Sequence, residues 1–336
     1  MAVDETQKVV HPPIVPAQRN IKLTTVLINS DMLLHYLFFE WTVAMLNSGS
    51  STICNLSVNS LHLPQETWKR FLNSITLPQL SFFHLTSLTP VSFADMDSFL
   101  GHHPSIKILQ LYGTEVPEGI WPPPSLTIPI LPHLTSIIAH PFYVVWILSS
   151  LLLDKEAFSN LTYITISSQV FSGTTPAFNY ALFDDALEYV AAVPGKIKLD
   201  LRFGGMQGDD DVCDWFEEHL AITNDSSKSS VISRLDNVTF LNISPCYFDF
   251  SRRTTEVLPD WLGMFPNMTE IVVTSLTTLS GCKLKNKEFV RKVALACQKA
   301  EWLSVQWQRL YLEKVRSDIK VSAGGGRGSE KGHRSA

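Results

Sequence analysis

His103-Pro104-Ser105-Ile106-Lys107-Ile108-Leu109-Gln110-Leu111-Tyr112-Gly113 holds three apolar anchors, Ile106, Leu109 and Leu111, at spacings of three and then two, between a proline and a turn. Alone it reads as one short buried strand. Its weight comes from recurrence. Leu77-Pro78-Gln79-Leu80-Ser81-Phe82-Phe83-His84-Leu85 repeats the pattern with Leu80, Phe83 and Leu85, and Leu131 to Ala139 repeats it with Leu134, Ile137 and Ala139. The phrase L-x-x-L-x-L, in loose form, can be laid on the chain about ten times.

Working outward, further copies begin at Leu23, Ile53, Leu161, Val238, Met268 and Ala300, and Ile197-Lys198-Leu199-Asp200-Leu201 is a degenerate copy marked by alternation. From Leu23 to Leu161 the first anchors are 30, 27, 26, 28 and 27 residues apart; the interval stretches to 36 and 41 around the degenerate copy and returns to 30 and 32. Helical patterns fill the gaps: Met32 to Leu46 with Asp31 as N-cap, Gln65 to Leu72, Ala94 to Leu100, Tyr180 to Ala192, Asp209 to Leu220 and Lys287 to Cys297. Strand, turn and helix at a period near 27–30 residues predict an α/β solenoid. One unit cannot bury its own strand face, and stacking makes a continuous parallel sheet on the concave side with helices on the convex side. An ordinary doubly wound sheet also alternates strands and helices, but it does not require the strand phrase itself to repeat.

Composition bounds the function. The chain has 336 residues, 45% hydrophobic and 18% charged, with a formal net charge of −5 and a pI near 6.1. That is a globular composition with no electrostatic footprint for nucleic acid. The polar start, residues 1–19, reads as a disordered leader without the apolar stretch of a signal peptide. Residues 20–310 read as the repeat region, and residues 311–336 as a helix end and a flexible Gly/basic tail. The longest apolar run, Pro141 to Leu153, is too short to span a membrane and reads as a buried helix. Five scattered cysteines without C-x-x-C predict neither a zinc site nor a disulfide framework, and fit buried thiols in a reducing, cytoplasmic or nuclear setting.

Chemistry-bearing motifs are few. No G-x-S-x-G, H-E-x-x-H, Walker or G-x-G-x-x-G pattern occurs. Gly324 to Lys331 lacks phosphate-loop spacing and reads as linker. Asp209-Asp210-Asp211 does not converge on one point and reads as helix capping, and His102-His103 reads as a turn. Six N-x-[ST] sequons, at Asn55, Asn160, Asn224, Asn237, Asn242 and Asn267, read as unused. No cofactor, metal or catalytic residue is predicted.

What the repeat predicts is a surface. The positions interleaving the apolar anchors face the concave side: Phe82, His84, Ile108, Gln110, Tyr112, Ile138, His140, Tyr163, Thr165, Lys198, Asp200 and Arg202. Aromatic, histidine and isoleucine side chains there are of interface-anchor type. The expected partner is a protein, not nucleic acid or membrane. The competing reading is an enzyme or small-molecule binder on an ordinary α/β fold.

The repeated phrase resembles leucine-rich repeats of the long, ribonuclease-inhibitor-like kind, in irregular form, over roughly residues 20–310. The Asn or Cys expected three residues after the last apolar anchor is missing from most copies, with Thr114 and Gln169 in its place; Cys246 fits. Leu258-Pro259-Asp260-Trp261-Leu262 followed by Phe265-Pro266-Asn267-Met268-Thr269-Glu270-Ile271 resembles the repeat regions of fungal F-box proteins. That resemblance implies an intracellular, substrate-recognising, non-catalytic role in a ubiquitin ligase. It implies a cullin-ligase adaptor only if an F-box lies upstream, and no F-box-like Leu-Pro-x-Glu opening is seen.

Overall fold

The computed structural model describes residues 22–114, 123–124, 131–152, 154, 156–168, 180–204, 209–224, 229–246, 248–274, 283–306 and 308–324. The expected leader, most of the tail and most of the Pro-rich stretch after Trp121 lie outside them.

Among the described residues, eleven strands form one sheet in chain order. They are β1 (Thr25–Ile28), β2 (Asn55–Leu61), β3 (Phe82–Ser87), β4 (Ile108–Leu111), β5 (Ser136–Ala139) and β6 (Tyr163–Ser167). Then come β7 (Ile197–Phe203), β8 (Val238–Pro245), β9 (Glu270–Val273), β10 (Trp302–Val305) and β11 (Gln308–Tyr311). Every pairing is parallel except β10 with β11, which is an antiparallel hairpin. Each strand therefore neighbours only its predecessor and successor in the chain.

Helices alternate with the strands: α1 (Phe39–Ser48), α2 (Gln65–Ser74), α3 (Phe93–His102), α4 (Pro141–Leu148), α5 (Ala181–Ala192), α6 (Asp210–Asn224), α7 (Arg252–Leu262), α8 (Lys283–Ala296) and α9 (Leu312–Gly324). The repeat phrase sets the register. Its middle anchors stand opposite one another in an unbroken row, Val26–Leu56–Phe83–Leu109–Ile137–Ile164–Leu199–Leu241–Ile271–Leu303. This row is buried in one hydrophobic cluster with Trp68, Phe71, Phe99, Ile147, Phe183, Leu258 and Val293 from the helices. Because strand side chains alternate, the helices cover one face of the sheet and the interleaving residues point to the other.

A polar seam runs beside the apolar row, at the position after the first anchor. The Thr24 carbonyl accepts from the Cys54 and Asn55 N–H groups, the Cys54 carbonyl from Ser81 and Phe82, the Ser81 carbonyl from Lys107 and Ile108, and the Lys107 carbonyl from Thr135 and Ser136. Hydroxyls at the same position reinforce it: Ser81, Thr135, Thr162 and Thr269 each donate to the carbonyl of the preceding unit at 2.9–3.4 Å. Asparagines before the first anchor do likewise. Asn160 Nδ2 donates to the Pro132 carbonyl, Asn267 Nδ2 to Asp236, and Asn237 Nδ2 to both Val190 and Val193. Three of the six sequons are thus Asn-anchor-Thr triplets that tie one unit to the last. Thr114, where asparagine was expected, donates from its buried hydroxyl to the Leu85 carbonyl at 2.8 Å.

The degenerate copy also has a geometric explanation. Ile197 pairs with Val238 but Lys198 pairs with Phe240, so β7 is one residue short between its first two anchors. Gly195, at φ +87°, supplies the left-handed turn into that strand.

Several expectations need correction. Met32 to Leu46 is not one helix: a 3-10 turn at Asp31–Leu34 precedes α1. Asp31 is the first residue of that turn and Ser30 is its N-cap; the Asp31 Oδ1 accepts from the His62 N–H at 3.1 Å. Helix α7 was not among the expected helices; Pro259 sits in its last turn, where little helix remains to be interrupted. Asp209 caps the helix after its own: its Oδ2 accepts from the Ser251 N–H and the Thr254 hydroxyl at the start of α7, each at 2.5 Å.

Candidate protein-binding face

The face opposite the helices is laid out in rows by the strand register. One row reads Thr25, Asn55, Phe82, Ile108, Ser136, Tyr163, Lys198, Phe240, Glu270, Trp302 and Tyr311. The next reads Leu27, Ser57, His84, Gln110, Ile138, Thr165, Asp200, Asn242, Val272, Ser304 and Arg309. Phe82, His84, Ile108, Gln110, Ile138, Tyr163 and Lys198 all stand on this face half-buried or exposed, as the alternation predicts. Tyr112 stacks on His84, ring centroids 5.1 Å apart and planes 14° from parallel, and His84 Nε2 lies 3.0 Å from the Thr86 hydroxyl. Partial burial lowers the His84 pKa, so the ring is neutral near pH 7.

Three predicted contact residues are not available for contact. His140 is buried at 4% exposure, at the N-terminus of α4, where its Nδ1 accepts from the Phe142 N–H at 3.3 Å. The proline at the first helical position leaves that N–H as the one to cap. Thr165 and Asp200 are fully buried as well.

Asp200 is the centre of a network. Its Oδ2 accepts from the Tyr163 hydroxyl at 3.2 Å, the Thr165 hydroxyl at 3.3 Å and Arg202 Nε at 2.9 Å; its Oδ1 accepts from Asn242 Nδ2 at 2.7 Å. Burial alone would lower the Arg202 pKa, but the facing carboxylate outweighs it and the net shift is upward. Burial, with Asp200 adding to it, raises the Tyr163 hydroxyl. A carboxylate with four donors around it is a structural pin on strands β6, β7 and β8. It is not free to take a proton from a substrate.

Alternation placed Tyr163, Lys198 and Arg202 on this face. It did not single out Phe240, Asn242, Glu270 or Trp302, although they occupy the same positions of the phrase in later copies. At that end Arg309 lies over the Trp302 ring, 4.4 Å from its centroid, and 3.1 Å from Glu270.

The other chemically suggestive residues have structural partners. His103 is buried; its Nε2 accepts from the Leu77 N–H at 3.0 Å and its Nδ1 lies 2.6 Å from the Phe99 carbonyl. The ring is therefore neutral with its proton on Nδ1. Cys54, Cys213, Cys246 and Cys297 are free thiols, and burial pushes Cys297 up to about 12. Among the described residues no group of three or more His, Cys, Asp or Glu side chains is placed to hold a metal, and no helix is long and apolar enough to cross a membrane.

No protein-family model and no curated protein matches the chain. Among solved structures, it is similar to a chain in the crystal structure of a TLR13–ssRNA13 complex, at 11% identity and a TM-score of 0.24. The match covers 78% of this chain and 40% of that one, so this chain spans less than half the length of its structural neighbour. At that score the likeness adds nothing to the fold seen directly, in which the described residues form eleven strands in sequence order, alternating with helices.

Proposed function

We propose that this chain is a non-catalytic protein-interaction module, an irregular leucine-rich-repeat solenoid of the ribonuclease-inhibitor-like kind, which binds a protein partner across the sheet face opposite its helices. The observation that carries the reading is the row Phe82, Ile108, Tyr163, Phe240, Trp302. These large side chains stand on β3, β4, β6, β8 and β10, in one row of a sheet whose other face is the core, with Ser136, Lys198 and Glu270 between them on β5, β7 and β9. Aromatic anchors held on rigid strands lose little side-chain freedom on docking, which makes such rows efficient contact surfaces. Asp200 supports the same reading, because its bonds stiffen the middle of the face instead of offering a reactive group. A finer reading, resting on the resemblance of the repeat phrases, is substrate recognition in an intracellular relative of F-box proteins.

The test is capture from cell lysate on the immobilised full chain. Wild type is compared with Phe82→Ala/Tyr112→Ala/Ile138→Ala and with a helix-row control, Asp185→Ala/Glu218→Ala. The reading expects a discrete partner retained by wild type and the control and lost by the sheet-face variant, all three melting alike. Loss in the control with retention by the sheet-face variant would move the interface to the helices. Ligase subunits in the eluate would bear on the finer reading.

A further inference from the structure

Large apolar side chains stand exposed within one short segment: Leu27 at 55%, Met32 at 56%, Tyr36 at 73%, Leu37 at 58% and Phe38 at 40%. All belong to the first unit of the array. Leu27 is on β1, and the others lie between β1 and α1. Strand β1 pairs with β2 on one side; among the described residues nothing pairs with its other edge. With respect to the described residues, that edge presents N–H and C=O groups open to another strand.

The opposite end of the sheet is built differently. There the chain turns back as antiparallel β11, whose outer positions carry exposed Gln308 and Arg309. Arg316 of α9 then donates to the Ala294, Cys297 and Ala300 carbonyls at 2.7–2.9 Å, closing the C-terminal end of α8. Charge on an edge strand is a usual device against edge-to-edge pairing. Strand β1, Thr-Val-Leu-Ile, has no charge, no proline and no bulge.

We infer that the first unit is a self-association surface, on which two copies of this chain pair β1 against β1, antiparallel, about a two-fold axis. A two-fold contact needs only that a patch complement itself. Antiparallel pairing of one strand with its own copy meets that condition through backbone groups, with Leu27 of each copy brought to the same face. The exposed side chains amount to roughly 500 Å² of apolar surface per copy, so the pair buries about 1,000 Å², the size a specific interface must reach. Tyr36 and Leu37, the most exposed of the group, lie in the connection between β1 and α1 and supply the further apolar anchors of the first unit.

Sedimentation velocity on the full chain over a wide concentration range tests this, with Leu27→Lys and the double variant Tyr36→Asp/Leu37→Glu beside wild type. All three positions are more than half exposed, so the fold does not depend on them, and unchanged melting at low concentration verifies it. The expected result is a monomer–dimer equilibrium in wild type whose dissociation constant rises at least tenfold in both variants. A wild type monomeric at every concentration overturns the inference, as does a dimer that neither variant weakens. Polymers growing with concentration would mean that β1 meets β11 of the next copy instead. Dimers appearing only after removal of residues 1–21 would assign the edge to the chain's own leader, and both results also overturn it.

Discussion

At the scale of single residues, the buried polar groups make the clearest predictions. Removing the Asp200 carboxylate strands the Tyr163 hydroxyl, the Thr165 hydroxyl and the Asn242 amide together, and leaves a half-buried guanidinium without its counter-charge. Asp200→Ala is expected to cost about 3 kcal/mol by chemical denaturation, after discounting for the solvent that reaches Arg202. A loss under about 1 kcal/mol would mean that the network does not hold the three strands. The buried histidines predict a pH dependence. Burial lowers the pKa of His84, His103 and His140, the last from 6.5 to about 3. The unfolded chain therefore binds protons below pH 6.5 that the folded chain refuses. Stability is fully present above that value and is lost as the pH falls toward 3, by at most about 1.4 kcal/mol per unit for His140. His140→Asn keeps a helix-capping side chain and should flatten the acid limb of a melting-temperature profile; an unchanged limb would place the titration elsewhere.

At the scale of elements, the unit-to-unit seam explains why this chain repeats without the expected asparagine ladder. Threonine, serine and asparagine on either side of the first anchor do that work, and backbone carbonyls of the preceding unit accept their protons. Asn237 is the strongest case, since one amide holds both the Val190 and Val193 carbonyls at the end of α5. Asn237→Ala is expected to lower stability by about 1–2 kcal/mol in urea titration, whereas the exposed Asn73, on the surface of α2, should tolerate alanine with little effect. Equal losses at both positions would deny the seam any special part. The triplets Asn160-Leu161-Thr162, Asn237-Val238-Thr239 and Asn267-Met268-Thr269 were visible in the sequence as sequons. Their role as a repeat signature was not, because a hydrogen bond to a carbonyl some thirty residues earlier requires the register of two strands to be known. The break between Leu34 and Phe39 escaped for a related reason: a run so rich in apolar residues, with only His35, Glu40 and Thr42 among them, shows no clear helical period that could betray its end.

At the scale of the whole molecule, the repeating phrase made most of the architecture legible. Ten parallel strands follow from ten copies, and the middle anchors of those copies meet across the sheet. The antiparallel strand that ends the sheet carries no anchor phrase, so periodicity had nothing to report there. The candidate face was legible in part. Period-two alternation assigned Phe82, Ile108, Tyr163 and Lys198 to the correct side, but alternation says nothing of depth, and His140, Thr165 and Asp200 proved buried. Depth is set by neighbours on strands far away in sequence, as Asn242 is from Asp200. The central claim is that this face, and not the helix row, meets the partner. Oxidative footprinting of the full chain, free and with its captured partner bound, tests it most directly. The account predicts protection at Phe82, Tyr112, Tyr163, Phe240 and Trp302 with Leu295 and Val257 on the helices unchanged; protection confined to the helix row, with those aromatics as reactive as in the free chain, would contradict it.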